Sequence, residues 1–348
     1  MKRIHTLLAL GCGLLFAAST CFAQMSTVND LGTGGGSPRK GHGEINAQTI
    51  TTFDVPNSIS TTPFAINPAG KIAGSYIDAA WGHHGFVRQP DGTIVSFDAG
   101  SSGTFPVAIN SVGKIVGSFY ENNVYHGFLW QPNGTIISFD VGPLGTFPRA
   151  INAAGKIAGA YMDANYVDHG FLRQRDGTVV SFDPPGSRYT NPFAIDPSGQ
   201  LTGWYADAVW GYHGFTRQPD GTIISFDAGP FGTYPYAINP QGQIAGAYYD
   251  GTGSHGFLRQ PDGTTISFDP TGSQYTYPSA INPAGEIAGS YYDANGEHGF
   301  FREPDGTIIS FEPSDTTSTT IPLAINPAGN TTGFYSDASG EHGFLRSK

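Results

Sequence analysis

Seven of the ten histidines in this 348-residue chain stand in one phrase, His-Gly-Phe, at His84, His126, His169, His213, His255, His298 and His342. Imidazole titrates near neutral pH, which suits general acid–base work, and its neutral form is a common metal ligand. An acid stands a few residues before each: Asp78, Glu121, Asp163, Asp207, Asp250, Asp293 and Asp337. Taken singly, such a pair could move protons. Taken seven times, it reads differently. A catalytic group is needed once, whereas a position filled identically in every unit of a repeat is first a scaffold position. The histidines are therefore expected to be structural, with the serine of Ser-Phe-Asp or the asparagine of Ala-Ile-Asn as hydrogen-bond partner. No catalytic residue and no metal ligand is assigned.

The recurrent Arg88, Arg173, Arg217, Arg259, Arg302 and Arg346, replaced by Trp130 in the second unit, are read as ion-pair partners of Asp98, Asp183, Asp227 and Asp269 in Ser-Phe-Asp. Three loops offer alternating oxygens of the kind calcium takes, Asp293-Ala294-Asn295-Gly296-Glu297 among them. None has the twelve-residue loop with a distal glutamate, so calcium is a minor option and no other cofactor is expected. His-Glu-x-x-His, the phosphate-binding loop and the nucleophile elbow are absent. A glycosidase would need two carboxylates at a set separation. Loop acids are plentiful, and their spacing is not readable from sequence.

The elements that hold these residues come from a repeat. Ile-Asn or Ile-Asp pairs begin at Ile66, Ile109, Ile151, Ile195, Ile238, Ile281 and Ile325, at intervals of 43, 42, 44, 43, 43 and 44. That period fits one four-stranded propeller blade. The first unit divides into "PFAIN", "KIAGSYI", "HGFVRQ" and "TIVSFD", separated by Asn67-Pro68-Ala69-Gly70 and Asp91-Gly92 turn signals. Glycine accepts the positive φ that short hairpins need. The last unit stops after its third strand, while "TITTFD" (49–54) precedes the first and matches "TIVSFD" (93–98). The fold predicted is an all-β, seven-bladed β-propeller over 47–348, about 43 residues per four-stranded blade, closed by the N-terminal strand.

In such a blade the loop between strands two and three and the inter-blade connection open on one face. These segments vary, whereas the turns on the other face barely change. The residue before each Ala-Ile also varies: Phe64, Val107, Arg149, Phe193, Tyr236, Ser279 and Leu323. It is expected near the channel mouth on the variable face. Trp81, Trp210, Tyr212 and Tyr236 are the candidate stacking residues, and Arg149 the candidate hydrogen-bond donor. Aromatics with scattered polar groups suit sugar faces or protein side chains.

The chain opens MKRIHTLLALGCGLLFAASTCFAQ, with a basic start, an apolar run and small residues before Gln24, and residues 1–23 read as a secretory signal. Residues 24–46, with LGTGGGSPRKGHG, read as a flexible linker. Both cysteines, Cys12 and Cys21, fall within the signal, so no disulfide framework is expected after cleavage. Losing Lys2 and Arg3 takes the formal charge from −11 to −13. That balance disfavours nucleic acid and anionic membrane surfaces. It fits an exported monomer, periplasmic or extracellular.

The phrase A-I-N-x-x-G-x-I-A-G followed by H-G-F-x-R resembles the extracellular HAF-type repeat of secreted bacterial proteins, with the middle alanine replaced by glycine, as in His84-Gly85-Phe86. The resemblance covers nearly all of the chain after Asn46. It implies export and a propeller-like fold, and it implies no activity. The expected function is binding of an extracellular glycan or protein. The alternatives are a polysaccharide hydrolase or lyase, and a structural repeat protein.

Overall fold

The computed structural model describes residues 49–314 and 317–348. The signal and linker readings lie outside them. The described chain holds 28 strands and no helix. In the first unit the strands are Ser58–Ile66, Ile72–Asp78, His83–Arg88 and Ile94–Phe97, each antiparallel to the next. The pattern repeats along the chain. In the last unit Thr49–Phe53 pairs antiparallel with Gly340–Ser347, from Thr49 opposite Ser347 to Phe53 opposite Gly343. The expected complementation of the C-terminal unit by the N-terminal strand is thus the observed pairing. The ladders fall into three sheets rather than one continuous belt. The first strands of successive units nevertheless touch in sequence, and the last touches the first.

Two repeated contacts join neighbouring units. The outer-strand phenylalanine of one unit meets the His-Gly-Phe ring of the next edge-on, as in Phe226 with Phe257 at 6.3 Å. The recurrent arginine of that next unit lies over the same outer ring: Arg259 is 4.5 Å above Phe226, Arg217 5.0 Å above Phe182 and Arg88 4.7 Å above Phe53. The expected ion pairs with the Ser-Phe-Asp aspartates are not made. Arginine stacks on the neighbour's phenylalanine instead, and the aspartate serves histidine. Trp130 fits this position for the same reason, stacking on Phe97 at 5.4 Å. Each cation–π contact contributes about 0.5–2 kcal/mol, more as it is desolvated.

A third tie runs along the inner turns. The Asn67 side-chain amide donates to the Asn110 carbonyl at 3.2 Å, Asn110 to Asn152, and Asn152 to Asp196. The Asp196 side chain has no N–H to pass on; its Oδ1 accepts from Ser198, Gly199 and Gln200 of its own turn.

The first strand of every unit carries a bulge. Its register against the second strand slips between Pro63 and Ala65, Pro106 and Ala108, Pro148 and Ala150, and so on through Pro322 and Ala324. The residues passed over are Phe64, Val107, Arg149, Phe193, Tyr236, Ser279 and Leu323. A bulge bends its strand and re-aims one side chain. The second-strand glycine makes room for it: a Cβ on Gly246 would lie 2.3 Å from the Tyr234 carbonyl oxygen.

Candidate functional site

On the loop face each histidine is held through Nδ1 by the acid that ends the outer strand. His84 meets Asp98 at 2.8 Å, His169 meets Asp183 at 2.7 Å, and His342 meets Asp54 of the N-terminal strand at 2.9 Å. Neither partner proposed from the sequence is used here. In three units the serine of Ser-Phe-Asp pairs instead with a second-strand tyrosine, as Ser267 does with Tyr248 at 2.9 Å. In six units the other histidine nitrogen faces the acid that opens the preceding loop, 3.3 Å away in Asp78 and 3.0 Å in Asp293. A ring of the second strand covers the imidazole, as Tyr76 stacks on His84 at 5.0 Å. Those loop acids also accept from their own backbone, Asp78 from Ala80 and Gly82. Among the described residues no cluster of three or more metal-binding side chains is positioned to hold an ion.

Burial opposes charge on His84, but hydrogen bonds and charges of Asp98 and then Asp78 outweigh it and hold its pKa above the ordinary value. The same holds for His169, His213, His255, His298 and His342 with their own acid pairs. A pKa raised by folding adds stability that is complete below the unfolded value of about 6.5 and fades as pH climbs through the folded one. The loop acids act oppositely: backbone donors hold Asp78 and Asp207 low, so their contribution is lost in acid. The melting temperature is therefore expected to peak on the acid side of neutrality and fall by several degrees by about pH 8.5. A melting curve flat from pH 6 to 8.5 would contradict the clamp.

The side chains that differ between units are the bulged ones. All seven are half-buried within largely buried strands, as expected of an inner wall. They stand late in the first strand, nearer the Asn-Pro-Ala-Gly turns than the loop face, so the expected position at the loop-face mouth is corrected. Successive members touch: the Arg149 guanidinium lies 5.5 Å over the Phe193 ring, and Phe193 meets Tyr236 edge-on at 5.6 Å. Burial, with Tyr249 and Tyr234 nearby, pushes the Tyr236 phenol far up, so it remains a protonated donor.

Of the residues singled out by sequence, Arg149 and Tyr236 come together through Phe193. Tyr212 lies one layer away, packed on Trp204 and Tyr234 at 5.6 Å each. Trp81 and Trp210 stand on outer loop tips, 73% and 52% exposed, and Trp210 stacks on Tyr189 at 5.6 Å. Both tryptophans have φ near +67°, a left-handed conformation uncommon for bulky residues.

Sequence reasoning missed the residue just before His-Gly-Phe as one set: His83, Tyr125, Asp168, Tyr212, Ser254, Glu297 and Glu341. Strand alternation turns it to the face opposite the histidine. Its variation among five residue types beside an invariant neighbour was the available signal. Asp168 is buried, and loss of hydration pushes its carboxyl up to about 6 against the opposing charge of Arg149. Its Oδ1 has no hydrogen-bond partner among the described residues. Glu297 accepts from Ser290 at 2.8 Å and Tyr292 at 2.7 Å. Glu341 accepts from Ser60 at 2.9 Å and from Thr62 across the junction of the last and first units. Together these groups place donors and acceptors on an aromatic wall, an arrangement suited to holding a polar ligand with a flat apolar face.

No protein-family model matches the chain, and no curated protein does. Solved structures do. A streptogramin B lyase is 15% identical, with 86% of this chain and 98% of that chain covered and a TM-score of 0.60. An inactive virginiamycin B lyase from Staphylococcus aureus with quinupristin is 16% identical, covering 86% and 99%, at 0.62. The β-propeller domain of the Trilobed protease from Pyrococcus furiosus is 7% identical, covering 83% and 93%, at 0.62. At these identities the likeness is one of fold. The described chain is a β-propeller.

Proposed function

We propose that this protein is a secreted seven-bladed propeller of the HAF-repeat type, acting as a monomeric binding module for an extracellular glycan or protein. The single observation that carries the binding reading is the bulge. A sevenfold scaffold aims one side chain per unit at the inner wall, and that side chain varies around the ring: Phe64, Val107, Arg149, Phe193, Tyr236, Ser279 and Leu323. Closure into seven blades is supported by the pairing of Thr49–Phe53 with the last unit and by Arg88 over Phe53. Export is supported by the first 23 residues of the sequence. The Arg149–Phe193–Tyr236 arc is the proposed contact surface, with Tyr212 packed nearby through Tyr234; Trp81 and Trp210, on the outer loop tips, stand apart from it.

The test is a glycan array followed by titration of each hit. Arg149→Ala and Tyr236→Ala are expected to weaken binding at least about tenfold in the folded protein, the loss of one good contact of about 1.4 kcal/mol, measured below the melting temperature of each variant. Retained affinity in both variants would remove the inner wall from consideration. Release of cleaved or unsaturated sugar would replace binding by catalysis.

A further inference from the structure

The turn face is not uniform. The residue after each inner turn is Lys71, Lys114 and Lys156 in units one to three, then Gln200, Gln243, Glu286 and Asn330 in units four to seven. The described residues contain four lysines, so three of the four occupy one repeat position in consecutive units. Their backbone placement is fixed, since each lysine N–H donates to the asparagine of its own inner turn at 2.9–3.0 Å. Lys71 reaches over Gly113 of the next unit's turn, and Lys156 over Gly199. The lysines thus follow one another along an arc. Among the described residues none of the three makes an ion pair. The fourth, Lys348, does: its Nζ contacts Glu286 and lies 3.4 Å from Glu303, the two acids that unit six carries where units one to three have lysine and glutamine.

We infer that Lys71, Lys114 and Lys156 form a second binding surface, on the face opposite the loops, for a linear polyuronate, a glycan with one carboxylate per sugar. Ammonium groups on three consecutive units present a row of positive charge to a chain that carries repeated anions. Lysine is a compact point charge on a flexible stem, suited to mobile carboxylates rather than to a fixed bidentate geometry. The formal charge of −11 opposes any polyanion over the rest of the surface, so contact is confined to the lysine arc. The choice of a glycan rests on the export and glycan-binding reading above. The lysine arc does not.

The experiment measures retention of the mature chain on immobilised polygalacturonate at 25 and 300 mM NaCl, with dextran as the neutral control. The parent is expected to be retained at low salt and released at high salt, because exposed charges are screened. Lys71→Gln/Lys114→Gln/Lys156→Gln installs the residue that units four and five already carry. It is expected to fold normally and lose at least tenfold in polygalacturonate affinity, while ligand binding at the inner wall is unchanged. Gln200→Lys/Gln243→Lys lengthens the arc and is expected to tighten binding severalfold. The inference fails if the parent ignores polygalacturonate at 25 mM salt, if the triple variant binds it as the parent does, or if duplex DNA is held more tightly through the same lysines.

Discussion

Removal of residues 24–56 leaves a protein that is unfolded or melts far below the intact chain, whereas removal of 24–45 leaves the melting temperature unchanged. The longer deletion strips the outer strand from the last unit. It removes the five-residue ladder with Gly340–Ser347 and the Asp54 partner of His342. It also removes Ile50 from the cluster around Phe301, Phe311 and Phe344, and Val55 from that around Ile66, Ile72 and Phe86. Phe53 is the ring beneath Arg88, so the junction with the first unit goes too. Burying one such side chain is worth about 1.5–3 kcal/mol. The sum rivals the roughly 5–15 kcal/mol that holds a typical domain together. Equal melting of both truncations would mean that the strand is dispensable.

Gly246→Ala is the second large effect. The new Cβ would stand 2.3 Å from the Tyr234 carbonyl oxygen and 2.8 Å from the Phe257 ring. Neither can yield cheaply. The carbonyl belongs to the bulged strand, and Phe257 is fully buried and meets Phe226 of the neighbouring unit. Overpacking of this kind costs about 1–3 kcal/mol, and backbone contact places it at the upper end. The expected fall in melting temperature is roughly 3–5 °C. Because the bulge at Tyr236 must straighten to accommodate the methyl, ligand affinity is expected to fall with stability. A variant melting within about a degree of the parent would show that the strands are less closely pressed.

Fold class was legible because a period near 43 with turn signals between short apolar runs admits few architectures. The closing strand was legible because 49–54 copies the outer strand that the last unit lacks. Partner choice was not. In Ser225-Phe226-Asp227, Phe226 is spent on the next unit's Arg259 while Asp227 turns to His213 of its own unit. Charge complementarity alone pointed arginine at the aspartate, because sequence does not say which side of an outer strand faces a neighbour. The bulge was hidden for a related reason. A register slip is a relation between two strands, and Arg149 and Tyr236 looked like ordinary strand residues. The lysine arc lay in plain view, but the near-constant turns beside it made the whole face look uniform.

His342 and Asp54, joined on the loop face, are 288 positions apart in the chain. During synthesis the strand Thr49–Phe53 appears among the earliest described residues, and its partner Gly340–Ser347 appears last. Joining them closes a long loop, and such distant pairings form slowly. Each unfinished chain therefore carries a unit with a bare edge, open to pairing with other chains. The consequence is one of timing: this unit is completed only once Gly340–Ser347 has been made and has left the ribosome. Until then the polypeptide needs protection from its own kind.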